Sequence, residues 1–436
     1  MEIKNVQCPM SNVQCRRLTS DFGLRTVFVL LLLTSDFGLR TSDCLYGYTY
    51  RDTVFGFGDN ACGFSARTAA LGGVSVVSDG PPTAIWENPA EISVDTRGSF
   101  ASTVELISNY ERRLHSDAEA TTATNSNSYT MATSAGVSIS PLQQKFGFAA
   151  GIAKLFDANY DYEENVYGEV KITEKNILSG AGGIYAYGLG ANYIPLQWLK
   201  LGITGFSITG DPELKKTEIS YSQQTGLETG RLVTKTDNSY SGGGVKIGTV
   251  LQKDSFRFGI SYTDYFSFEN DSTVNGISAK YEYKMPSTLS GGVAVSFRGI
   301  TRPTFLAQAD YTRWGETSKK LSGVPGESWS SAGFNDTLNC RLGAEHWIAA
   351  NVPLRYGLSV IQNPTRKGVH SSVVSIGSGF SFWQINIDAA FQFFMRRTTS
   401  EARIFPVTEE TAYPLINYET VDDYTKRLLI TGKIKW

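Results

Sequence analysis

Much that would declare a function is missing from these 436 residues. No apolar run reaches the roughly eighteen residues that a membrane-spanning helix needs, so a helical membrane protein is excluded. Histidine is reduced to His115, His346 and His370, which leaves little for acid–base or metal chemistry. The cysteines are Cys8, Cys15, Cys44, Cys62 and Cys340, an odd set at irregular spacing that supports neither a disulfide framework nor a zinc site. No P-loop, serine nucleophile elbow or zinc motif occurs, so no catalytic residue, metal or cofactor is expected and the chain does not read as an enzyme. The formal net charge is −2 and no basic run is present, which removes nucleic acid as a partner.

What is present begins oddly. LTSDFGLRT fills Leu18 to Thr26 and recurs at Leu33 to Thr41, and NVQC ends at both Cys8 and Cys15. A stacked repeat fold needs at least three units, so these are not a solenoid. Between the repeats lies VFVLLLL, Val27 to Leu33, preceded by Arg16, Arg17 and Arg25. That arrangement resembles the charged and apolar regions of a secretory signal, and a misplaced start remains the other reading. A lipoprotein site at Cys44 is disfavoured by the preceding TSD. Residues 1–50 are therefore kept apart from the fold.

From about residue 98 the chain becomes a series of runs alternating apolar with polar or small residues, the signature of a two-faced sheet. In Gln384 to Phe394, Ile385, Ile387, Ala389, Phe391 and Phe393 share one face, against Gln384, Asn386, Asp388 and Gln392. Leu338 to Glu345, Phe256 to Ser261 and Leu354 to Val360 repeat the pattern. Strands are predicted near 98–108, 128–140, 145–157, 180–193, 198–208, 238–251, 255–267, 286–298, 303–313, 336–348, 353–361, 370–380, 382–395 and 425–436. The links after the even-numbered strands are short, whereas those after the odd-numbered ones, such as 209–237, 314–335 and 396–424, are generally long and polar. A sandwich has no reason to alternate so strictly, but an outer-membrane barrel does, with turns in the periplasm and loops outside. The predicted fold is thus all-β, a transmembrane antiparallel β-barrel of fourteen strands over 98–436 in the bacterial outer membrane. Its closure satisfies every backbone group in hydrocarbon. Trp198, Tyr283, Trp314, Trp347 and Trp383 would suit the interfacial girdles. The chain ends on an amphipathic strand closed by Trp436, which looks like the signal read by the barrel assembly machinery, where phenylalanine is usual.

Residues 54–95 are different, rich in Gly, Ala, Ser and Asp with Pro81, Pro82 and Pro89 as breakers. They carry Ala66-Arg67-Thr68-Ala69-Ala70-Leu71-Gly72-Gly73, then Ser78-Asp79, then Asn88-Pro89-Ala90. With RLGAEHW at 341–347, PLRYGL at 353–358 and IDAAFQF at 387–393, this resembles the FadL/TodX superfamily of outer-membrane transporters, PorV-like relatives included. The resemblance implies that residues 51–97 fold inward as a hatch occluding the lumen. It also implies uptake of hydrophobic small molecules such as long-chain fatty acids or hydrocarbons. Gly72, Gly73, Asp79, Asn88, Pro89 and Ala90 become the hatch or gating candidates, although the NPA piece is read more readily as a turn cap at the plug base.

Arg257, Asp310, Arg341, Glu345, Arg355 and Asp388 fall on the polar side of their strands. They either line a passage or pair with the hatch and one another, and for each the pairing reading is the plainer. Tyr110, Tyr160, Tyr162 and Phe266 to Phe268 are the aromatic loop candidates for a ligand groove. The partners expected are a hydrophobic ligand, outer-membrane lipid or lipopolysaccharide, and the assembly machinery. A PorV-like role, holding or shuttling cargo of a secretion system without transport, is the alternative.

Overall fold

The computed structural model describes residues 59–60, 63–78, 82–94, 96–115, 122–142, 145–167, 172–299, 301–323, 326–365, 367, 370–400 and 419–436. The repeats, the apolar run at Val27 to Leu33, Cys44 and Asp79 lie outside them.

Fourteen long strands form the wall: β1 (Gly98–His115), β2 (Thr122–Leu142), β3 (Phe146–Asp157), β4 (Gly183–Leu196), β5 (Leu199–Gly210), β6 (Glu228–Lys253), β7 (Phe256–Val274), β8 (Thr288–Ser296), β9 (Thr304–Thr312), β10 (Thr337–Ala349), β11 (Val352–Gln362), β12 (His370–Phe382), β13 (Ile385–Ser400) and β14 (Glu419–Lys435). Each pairs antiparallel with the next. β14 then pairs with β1 from Ser99↔Lys435 to His115↔Glu419, so the sheet closes on itself. The terminal Trp436 extends that seam, exchanging backbone hydrogen bonds with Gly98.

Alternation sorts the side chains as the sequence pattern requires. Ile385, Ile387 and Phe391 of β13, Leu338 and Leu342 of β10, and Leu428, Ile430 and Ile434 of β14 are all exposed on the outside, while Gln392 and Arg427 are buried within. In a soluble protein an apolar surface this continuous would be an aggregation hazard. Around a closed barrel it is the lipid-facing belt.

The long connections depart from expectation. They were read as polar loops, yet Tyr160–Tyr167, Ile172–Ala181, Glu213–Tyr221, Ile277–Lys284 and Ser318–Leu321 are strands. They pair in series with the outer ends of β2, β6 and β7 and carry part of the wall beyond the membrane. Cross-strand ion pairs stand in for an apolar face here, among them Lys175–Glu163 at 2.9 Å, Lys280–Glu269 at 2.8 Å and Lys320–Glu282 at 2.7 Å. The girdle also needs correction. Trp198 and Trp383 stand exposed at turns, but Tyr283 is buried against Phe268 and Trp314 packs edge-on to Phe334.

Residues 63–78 and 82–94 lie inside the ring. Their bonds reach β1, β2, β4, β5, β6, β7, β9, β10, β12, β13 and β14, and only a segment within a closed wall can touch so many of its strands. The segment is irregular apart from a short helix α1 (Ala66–Ala70), N-capped by Ser65, and two single turns at Pro82–Trp86 and Pro89–Glu91. Its backbone is satisfied by luminal side chains, which is the condition for irregular chain at membrane depth.

Candidate functional site

The plug has two lobes, each bonded to its own arc of wall. In the first, residues 63–78, the Ala66 N–H donates to Thr431 Oγ1 (2.7 Å), Gln392 Nε2 donates to Ala69 O (3.0 Å), and the Ser75 and Val76 amides donate to Gln308 Oε1 (2.7 and 3.0 Å). In the second, residues 82–94, Asn192 Nδ2 donates to Ile92 O (2.8 Å), Lys200 pairs with Glu91 (2.8 Å), and Lys246 Nζ donates to Trp86 O (2.8 Å). Two residues clasp the lobes together. Asn88 Nδ2 donates to Val76 O at 2.8 Å while its Oδ1 caps the following turn through Ala90 N–H. Glu87 Oε1 accepts from Thr68 Oγ1 at 2.8 Å and from Phe64 N–H at 3.3 Å. Burial pushes the Glu87 carboxyl above its ordinary range, against those two hydrogen bonds and the nearby positive charges of Lys246 and Arg341.

The lobes seat by backbone approach. Gly72 sits at φ +71, where a side chain would be strained, and a Cβ there would lie 2.8 Å from Leu358 O. Opposite it, a Cβ on Gly357 would come within 2.0 Å of Gly72 N, and one on Gly202 within 2.2 Å of the Pro89 carbonyl carbon. The wall glycines are thus where the plug touches.

The six luminal charges are all paired. Arg355 Nε reaches Glu345 (2.5 Å) and its Nη1 reaches Asp388 (2.6 Å), and Glu345 also holds Arg67 of the plug (3.1 Å). Arg341 holds Asp310 at 2.7 Å, and Arg257 donates to Val77 O at 3.2 Å. Reading the sequence by itself missed their counterparts Glu105 and Arg427, a buried pair bridging β1 and β14. Both sit on the polar side of a correctly placed strand, so the signal existed.

Above the plug lies a cavity of about 220 Å³. Ile85, Trp86, Leu155, Phe206 and Tyr265 form its apolar side; Lys246, Asp310 and Arg341 its polar side. Aromatic rings continue outward from it. Trp86 meets Phe206 at 6.3 Å and Phe206 meets Tyr265 at 5.7 Å. Farther out, Tyr240, Phe268 and Tyr283 follow at 5.6 and 6.2 Å within the same apolar cluster. Of the aromatic loop candidates, Tyr160, Tyr162 and Phe268 are buried on this inner side, whereas Tyr110 and Phe266 are exposed on the outside.

Beside the cavity the wall is interrupted. β2 pairs with β3 only over 134–142, and its outer end at Thr122–Asn125 pairs instead with 162–165. Over 126–133 the β2–β3 ladder is thus interrupted, and the β2-facing side of Phe156 and Asp157, which pair with β4 on the other side, is taken by Asn60 and Asp59. Side chains bridge the break: Tyr129 OH and Asn159 Nδ2 donate to Asp157, and Lys154 Nζ contacts both Asp157 (2.7 Å) and Met131 Sδ (3.3 Å). Leu155, in the same stretch, lines the cavity.

A closed fourteen-stranded barrel with a lipid-facing belt and a luminal plug defines a bacterial outer-membrane protein with the FadL-type transporter fold. Residues 49–284 match the family model described as BamG, and the chain belongs to that family. No curated protein matches it. Its fold is similar to that of a Pseudomonas aeruginosa FadL homologue (11% identity, TM-score 0.62, 87% of this chain and 99% of that one). It is likewise similar to the toluene transporters TodX of P. putida (14%, 0.63, 86% and 99%) and TbuX of Ralstonia pickettii (16%, 0.58, 88% and 100%).

Proposed function

We propose that the protein admits hydrophobic small molecules through the outer membrane. One observation carries the reading: an aromatic track leads to a cavity that is blocked below by the plug but borders a break in the wall at Leu155. Apolar solutes are held by contact with rings and aliphatic chains, which cost no specific geometry and accept many shapes. The Trp86 indole N–H, buried and without an acceptor among the described residues, offers one polar contact. The toluene transporters of the same fold handle a compound of this kind, which supports the reading by analogy.

In this account residues 51–97 are the hatch and 98–436 the barrel. Gly72, Gly73, Asn88, Pro89 and Ala90 hold the hatch seated, and Trp436 is the insertion signal. Solute leaves sideways, once the bridge at Asp157 and the paired residues Asp59 and Asn60 part from β3, or downward, once the lobes separate. Saturable uptake of a labelled long-chain fatty acid into proteoliposomes tests this. A buried charge from Phe206→Glu is expected to reduce it at least tenfold with the barrel still folded, and a wild type that takes up nothing would sink the proposal.

A second reading draws on family membership and on the plug being tied to the wall on nearly every side. As the name BamG suggests, the protein would then be a docking partner in a barrel assembly machinery, its lumen sealed. Co-purification of an assembly complex from cells, alongside absent uptake, would favour it.

A further inference from the structure

The outer face of β13, β14, β1 and β2 carries a feature that the luminal site does not use. The registers stack outward-facing residues in rungs across these strands. Phe391, Leu428, Leu106 and Thr130 form one rung; Phe393, Lys426, Ser108 and Ser128 form the next; Met395, Tyr424 and Tyr110 the third. Two adjacent serines between bulky rungs leave a hollow, and a groove of about 440 Å³ opens there. Leu106, Leu428 and Phe391 make its apolar floor, and Lys426, Ser108 and Ser128 its polar end. The hydroxyls of Ser108 and Ser128 are 3.0 Å apart, and both residues and Lys426 are exposed. Among the described residues no carboxylate is bonded to Lys426. The stacked rings of Phe393 and Tyr424, with Tyr110 tilted against Tyr424, border the groove.

Depth selects the occupant. From Phe100, at the periplasmic end of the belt, to Ser108 the tilted strand climbs roughly 20 Å along the membrane normal, against an apolar band about 25 Å tall. The polar end therefore sits where outer-leaflet headgroups begin, and the floor where acyl chains run. A neutral headgroup gives an ammonium beside two hydroxyls nothing charged to meet, whereas a phosphate oxygen accepts from all three.

We propose that this groove binds a phosphorylated acylated lipid of the outer leaflet, its phosphate on Lys426, Ser108 and Ser128 and one acyl chain over Leu106 and Leu428. This goes beyond solute passage and holds whether or not the lumen transports.

The full chain, reconstituted in nanodiscs of phosphate-free digalactosyl diacylglycerol doped with bisphosphorylated lipid A or its dephosphorylated form, is released into native mass spectrometry and the retained lipid counted. The phosphorylated lipid should be retained at least fivefold more than the dephosphorylated one. Lys426→Ala should abolish the difference, and Ser108→Leu, which fills the hollow, should lower retention of both. Heat-modifiable gel mobility confirms that each variant is folded. Equal retention of the two lipids by the wild type, or retention unchanged in folded Lys426→Ala, would overturn the proposal.

Discussion

Asn88 donates its side-chain amide to the carbonyl of Val76, and that bond ties the half of the plug held by one arc of the barrel to the half held by the other. Asn88 is fully buried, and the same side chain caps the turn that follows it. Replacing it by alanine strands the Val76 carbonyl and removes the cap, at a combined cost of roughly 2–3 kcal/mol. Asn88→Ala is therefore expected to raise amide exchange across 63–94 while the wall strands keep their protection; hydrogen exchange with mass spectrometry reads both.

Gly357 meets the plug backbone with no room to spare. Gly357→Leu should fold as a barrel, since a strand accepts leucine, but the first lobe cannot seat against it. Planar-bilayer recordings should show open-channel conductance well above that of the wild type. A conductance equal to wild type would mean that the plug has another seat.

Glu87 gives the plug a pH dependence whose sign follows from burial. Its raised pKa means that the folded state favours the protonated acid, so the stability it contributes is complete below the unfolded value near 4.5 and is lost as pH rises through the folded one. Glu87→Gln keeps an acceptor oxygen for Thr68 and Phe64 but does not titrate. Protease protection of the plug should fall as pH rises above the unfolded value near 4.5 in the wild type and stay level in the variant.

Ile430 faces outward near mid-belt and its neighbour Thr431 faces the plug. Ile430→Arg should destabilise folding into bilayers by about 2–4 kcal/mol, as measured by guanidinium titration in phosphatidylcholine vesicles. Loss of the same size on transfer to detergent-free buffer would not arise, because the protein should not remain soluble there at all.

The wall was legible because lipid imposes its own grammar. A strand crossing the membrane must show apolar residues at every second position, and β13 does so from Ile385 to Phe393. Short turns on one side and long connections on the other then gave the strand count. Inward charges such as Arg355 and Glu345 were visible as the opposite face, but not which of them pair, because pairing depends on the register between strands. The outer strands were missed for other reasons: Glu213–Tyr221 is dominated by charged residues and lacks the simple period, while Ile277–Lys284 alternates but is short and lies within a stretch read as a loop. Nor could the break beside β3 be read, since it comes from a neighbour that fails to pair.

The most direct measurement places a photoreactive benzoylphenylalanine at Leu155, where cavity and wall break meet, and irradiates proteoliposomes during uptake of a radiolabelled long-chain fatty acid. The account predicts covalent label at this position, displaced by excess unlabelled compound, and none at the same group placed at Leu342 beyond the background that bilayer lipid gives. Label at Leu342 alone, with Leu155 left clean in a folded protein, would contradict passage through the lumen.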